Sequence, residues 1–151
     1  MRIRRDDRKD FDALASPLLA DERYQRLKKY IQHGRITTYD HCCSVAWNAF
    51  RLNRLLGLRA DERRLVRASL LHDYYLYDWH ESGDPFHGLH HPGIAAEKAE
   101  RDFRIGLEER EAIRSHMWPL TLFVIPCSVI GWLIAVSDKY CALRETLCMR
   151  H

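Results

Sequence analysis

A helical run apolar around most of its circumference, closed by an adjacent His-Asp pair, constrains this chain more than any other stretch. Leu65, Val66, Ala68, Leu70 and Leu71 make the run, and His72, Asp73, Tyr74 and Tyr75 follow it. Such a helix belongs at the centre of a fold, because a surface helix shows a polar face. It carries the Asp73 carboxylate inside with it, where an unpaired charge is costly. A cation or a salt bridge removes that cost. An imidazole nitrogen beside a carboxylate is a good partial ligand set for Mn, Fe, Co, Ni or Zn.

Four more ligand-type residues fall on or beside segments that read as helix. His41 lies on a helix capped by Thr37 or Thr38 that runs to Leu56 and stops at Gly57. His91-Pro92 opens a helix whose Ala95, Ala96 and Ala99 make a small-residue face and which ends before Gly106. His116 is near the end of a helix from Leu107 to Trp118, stopped by Pro119. Asp138 sits in a last helix, from about Cys127 to Leu147. The order is H…HD…H…H…D.

This ordered set resembles the HD-domain superfamily of metal-dependent phosphohydrolases, in the version with two extra histidines, over residues Thr37 to Glu145. The resemblance implies an all-α bundle and two divalent transition metal ions. It implies that His41, His72 and Asp138 hold one ion, that His91 and His116 hold the other, and that Asp73 bridges them. Between two such ions a bridging hydroxide forms near neutral pH, and the cations take up charge on a phosphoryl oxygen. The expected activity is hydrolysis of a phosphoester or phosphoanhydride in a small nucleotide-like or phosphorylated substrate. His90 and His91 compete for one ligand position, and His91 is chosen because similar family members place the histidine in a pattern like His-Pro-x-x-Ala.

Asp73, Lys139 and Asp78 are the candidate catalytic residues. Lys139, beside Asp138, either reaches a substrate phosphate or forms an ion pair; Asp78 acts as an acid/base group or caps its own loop. His80, His87 and His90 are secondary candidates in the excursion from Tyr74 to His90. Cyclic-dinucleotide members of the superfamily often follow the pair with Ile-Gly-Lys, where this chain has Tyr74-Tyr75-Leu76. Single-metal nucleotidases often place a Glu one turn on, where it has Leu76 or Asp78. Neither substrate transfers. The same ligands also resemble those of HD-type diiron oxygenases such as inositol oxygenase, and a non-catalytic, metal-stabilised module that binds a nucleotide or a partner is a third reading.

At 151 residues, 46% apolar and 30% charged, the chain suits a single domain with a real core. The net charge of +3 is small, and the basic start around Arg2, Arg4 and Arg5 is interleaved with Asp6, Asp7, Asp10 and Asp12. This points to a partly mobile N-terminal segment over residues 1–15, not to a nucleic-acid arm. Leu120 to Val136 is apolar enough to test as a membrane span, but Pro126 and Gly131 interrupt it and Asp138-Lys139 follow, so it reads as a loop plus a buried helix. No secretory signal is visible, and the odd set of five cysteines lacks metal-site spacing; both suggest a cytoplasmic protein with reduced thiols packed in small core sites. Ser16-Pro17 reads as the start of a helix through Gln32, and no strand is expected. Oligomeric state is open.

Overall fold

The computed structural model describes residues 5–148, and side chains within 6–147. Seven α-helices carry the fold, α1 (Arg5–Leu19), α2 (Glu22–Gln25), α3 (Thr38–Leu56), α4 (Glu62–Leu71), α5 (His87–Phe103), α6 (Leu107–Ser115) and α7 (Val129–Cys148). The all-α expectation holds, with one small addition. Strands β1 (Ile31–His33) and β2 (Ile36–Thr37) pair antiparallel across a turn where Gly34 takes φ 57°.

The central helix is α4. Asp61 caps it by accepting from the Arg64 N–H at 3.0 Å. Leu65, Val66, Ala68, Leu70 and Leu71 are all fully buried, and the chain stays inside through Tyr74 and Tyr75. It packs against α3, α6, α7 and α1. The phenol of Tyr24 donates to the Leu70 carbonyl at 3.0 Å, which satisfies a backbone acceptor at the end of α4.

Helix α3 follows its sequence signals closely. Thr37 Oγ1 accepts from the Asp40 N–H at 3.1 Å, and Gly57 closes the helix in the left-handed region at φ 63°. Leu58 N–H reaches the Asn53 carbonyl and Gly57 N–H the Arg54 carbonyl, a Schellman arrangement.

The N-terminal third departs from expectation. Residues 5–19, expected within or next to a mobile segment, form α1 and bury Phe11, Ala15 and Leu18; residues 1–4 lie outside the described set. Pro17 falls inside this helix rather than at its start. Its missing N–H leaves the Ala13 carbonyl free, and Ser16 Oγ donates to that carbonyl at 3.3 Å. Asp21 then starts a new short turn by accepting from Arg23 N–H at 2.8 Å, so the expected helix through Gln32 becomes α2, a 3-10 turn and β1.

Helix α5 begins at His87, four residues before the expected start, and holds Pro92 inside. The carbonyl that Pro92 cannot engage belongs to Gly88, whose lack of a side chain lets Leu120 pack within 3.1 Å of its Cβ position. At the other end, α6 stops at Ser115 and leaves His116 as the capping residue. Of the thiols, Cys42 and Cys141 are buried and Cys43 is half-buried. Cys127 is exposed, against the packing expectation, and the Cys148 side chain lies outside the described set. No described helix is long and apolar enough to cross a membrane.

Candidate metal centre

The six ligand-type residues meet. His41 comes from the first turn of α3, His72 and Asp73 from the end of α4, His91 from α5, His116 from the cap of α6 and Asp138 from the middle of α7. All are buried, none more than 8% exposed. His41 Nε2 lies 3.0 Å from Asp138 Oδ1 and 3.8 Å from Asp73 Oδ2. His72 Nε2 lies 3.4 Å from Asp73 Oδ2 and 3.6 Å from Asp138 Oδ1. Asp73 Oδ1 faces His91 Nε2 at 3.1 Å and His116 Nε2 at 3.4 Å. Asp73 is therefore the carboxylate at the middle of the set, with one oxygen towards each group of histidines.

Hydrogen bonds behind the rings fix which nitrogen faces inward. His72 Nδ1 lies 2.7 Å from the Ser69 carbonyl, His91 Nδ1 3.0 Å from that of His87, and His116 Nδ1 2.7 Å from that of Ile113. A carbonyl only accepts, so each Nδ1 carries the proton. His41 Nδ1 does the same towards Glu145 Oε2 at 2.9 Å. All four Nε2 atoms thus point into one space with lone pairs available. Such backing of metal-ligating histidines is the usual way their tautomer and orientation are held.

Two features show that this space fits a cation. His91 Nε2 and His116 Nε2 are 3.0 Å apart, close for two lone pairs. Two nitrogens each ~2.0–2.1 Å from one cation at a right angle would sit at about that separation. In addition, His72 Nε2 and Asp73 Oδ1 are buried and make no hydrogen bond. Buried polar atoms left this way are rare and ask for a partner. Ligand atoms of His41, His72 and Asp138 lie within 4.8 Å of one another, as do those of His72, Asp73 and His116.

The metal-free electrostatics tell the same story. Burial alone would raise Asp73 and Asp138, but the facing histidines hold both well below the usual carboxylate range. Burial pulls His41 down, yet hydrogen bonds to Asp138 and Glu145 raise it to about 10. His116 goes the other way, to about 4, because burial is only partly offset by Asp73. Without metal, His41 and His72 favour a second proton, on Nε2, in place of the cation's charge; a metal ion would displace those protons and take up the lone pairs.

Two residues that the sequence did not single out complete the centre. Gln32, in β1, donates from Nε2 to Asp73 Oδ2 at 2.7 Å, while its Oε1 accepts from Tyr75 at 2.6 Å and from Thr38 at 3.2 Å. Its amide is thereby held in one orientation. Glu145 backs His41, and its spacing from Asp138 on α7 is the one signal that could have revealed it. No sequence signal marked Gln32.

A cavity of about 710 Å³ opens over the centre, lined by Asp73, Asp138, His91 and His116 together with Trp79, His87 and Lys139. Lys139 Nζ donates to Asp138 Oδ2 at 2.9 Å and to the His116 carbonyl at 2.5 Å, and its side chain stays 39% exposed. Of the alternatives raised for Lys139, the ion pair is the one observed, at the mouth of the cavity. Asp78 is not among the lining residues. It accepts from His80 N–H at 2.9 Å and caps its own loop. His90 points outward, 57% exposed and paired with Asp84 at 2.9 Å, whereas His91 faces Asp73. His87 forms part of the wall, stacked on His91 at 4.7 Å and bonded to the Tyr77 phenol at 2.9 Å; burial and then His91 lower it to about 4. Arg144 lies over the Tyr140 ring, outside the cavity lining.

Comparison with known proteins gives one result. Neither curated proteins nor solved structures give a significant match. The family model of the HD domain matches residues 38–143, a span that contains all six converging residues. The chain belongs to the HD-domain family.

Proposed function

We propose that this protein is a metal-dependent phosphohydrolase acting on a small phosphorylated substrate. The observation that carries the reading is the convergence of four Nε2 lone pairs on the two oxygens of Asp73 and on Asp138, beneath an open cavity. His41, His72 and Asp138 would hold one divalent transition metal ion, and His91 and His116 a second, with Asp73 shared. Ions of this kind supply a hydroxide nucleophile at neutral pH and stabilise charge on a phosphoryl oxygen.

The chain's own residues do the rest. Gln32 and Glu145 hold Asp73 and His41 in place. Among the described lining residues Lys139 is the one Lys or Arg, so the cavity offers a phosphate a single fixed side-chain cation. His87, neutral at pH 7, can orient water or accept a proton but adds no charge. Oligophosphates are typically gripped by several Lys and Arg side chains. A phosphomonoester with a compact organic group, laid against Trp79, Pro85 and Met117, fits this lining better.

The test is elemental analysis followed by a substrate screen on Mn-, Co- and Fe-loaded protein. Two equivalents of metal and turnover of phosphomonoesters are expected. Asp73→Ala should empty both positions and lower turnover at least ~10²-fold, whereas His90→Ala should leave the metal in place. Fully loaded protein that consumes oxygen with a polyol, or binds nucleotide without turnover, would replace the hydrolase reading.

A further inference from the structure

Helix α7 has a second face that the metal centre does not use. Its inward side carries Ile130, Leu133, Ile134, Asp138, Cys141 and Glu145, all buried. Its outward side is also apolar. Val129, Trp132, Val136, Tyr140, Leu143 and Leu147 are 40–61% exposed and form one straight stripe. Their spacing follows an 11-residue pattern, which keeps a seam nearly parallel to the helix axis. A helix with two apolar faces is normally covered on both.

The stripe continues into the loop before α7. Leu122, Phe123 and Ile125 are exposed, Phe123 at 99%, and Trp118 packs edge-on against Trp132 at 5.0 Å. Together these side chains offer on the order of 1,000 Å² of apolar surface, beyond the ~300–600 Å² patch of a typical monomer. Each partner in a stable interface buries ~800 Å².

We propose that this face joins two copies of the chain, α7 against α7 in antiparallel register about a two-fold axis. The stripe is its own complement in that arrangement. An axis level with residue 138 sets Val136 against Tyr140 of the second copy and Val129 against Leu147, with Trp132 and Leu143 within one residue of the same level. Each pair matches a smaller side chain with a larger one, which lets the helices approach closely. An isologous contact needs this kind of self-pairing, and it closes at two subunits. Beside the stripe a groove of about 390 Å³, lined by Leu52, Leu55, Val136 and Tyr140, gives the opposing aromatic room. The interface thus lies behind the helix that carries Asp138.

Light scattering on the metal-loaded full chain at tens of micromolar tests this. The expected mass is twice that of the chain. Val136→Glu should give a folded monomer with unchanged circular dichroism and metal content. Adding Tyr140→Lys to it should restore the dimer, because residue 136 faces 140 across the axis. If Val136→Glu does not fold, Leu143→Lys provides the same disruption. A wild-type monomer would overturn the proposal, whether or not it binds phosphatidylcholine vesicles, which would assign the face to a membrane. A dimer indifferent to both Val136→Glu and Leu143→Lys would overturn it too.

Discussion

Glu145 illustrates how much of the centre depends on side chains that stand behind the six converging residues. One of its oxygens accepts from His41 Nδ1 and the other is buried without a hydrogen bond. Carboxylate backing of this kind raises the basicity of the opposite nitrogen and fixes the ring, and its loss typically costs 10–100-fold in metal affinity. Glu145→Ala should weaken metal binding by about that factor, with Glu145→Gln in between, since an amide oxygen still accepts from Nδ1. Chelator competition reads the effect directly; an alanine variant as tight as wild type would show that His41 is held by packing alone. At this scale the sequence was legible where chemistry was local. His72-Asp73 announced itself as an ionisable pair closing an apolar run, whereas His91 was chosen over His90 by resemblance to the family's His-Pro-x-x-Ala pattern. Gln32 was not legible, and Glu145 only through its spacing from Asp138, because their roles are visible only once α3, α7 and β1 are brought together.

Elements with strong terminal signals were read correctly, and those governed by tertiary contacts were not. Thr37 and Gly57 bound α3, and Asp61 starts α4, as their side chains and backbone preferences require. The punctuation before Thr38 misleads, since Ser16-Pro17 falls inside α1 rather than ahead of a helix. What fixes α1 is a set of distant partners, chiefly Arg54 near the end of α3. Its guanidinium bonds Glu62 of α4 at 2.7 and 2.8 Å and Asp7 and Asp10 of α1 at 2.8 Å, while lying 4.4 Å over Phe50. An exposed ion pair contributes little, but a networked, half-buried arginine with an aromatic beneath it contributes more. Arg54→Met should lower stability by about 1–2 kcal/mol, seen as a lower urea midpoint at unchanged slope. A midpoint equal to that of wild type would mean that Phe11, Ala15 and Leu18 hold α1 without help.

The whole molecule should respond to pH in opposite ways with and without metal. In the chelated protein His41 has a folded value of about 10 against 6.5 unfolded. Its contribution is complete below pH 6.5 and is lost as pH rises through 10. His116 is depressed to about 4, so its contribution is present above 6.5 and is lost as pH falls towards 4. His87 shifts in the same direction as His116, and the lowered Asp73 and Asp138 add a further loss below the normal carboxylate value of 3.8. These groups together place maximum stability of the chelated form near pH 6.5. A metal ligated by His41 Nε2 replaces the proton there, so the loaded protein has no such proton to lose on the alkaline side. The gap in thermal midpoint between loaded and chelated protein should therefore widen from about pH 6.5 to about pH 9, with each exchanged proton adding at most ~1.4 kcal/mol per pH unit. Melting curves in chelator and in Mn across that range measure the gap. A gap independent of pH would mean that metal binding displaces no proton, and His41 would then lie outside the ligand set.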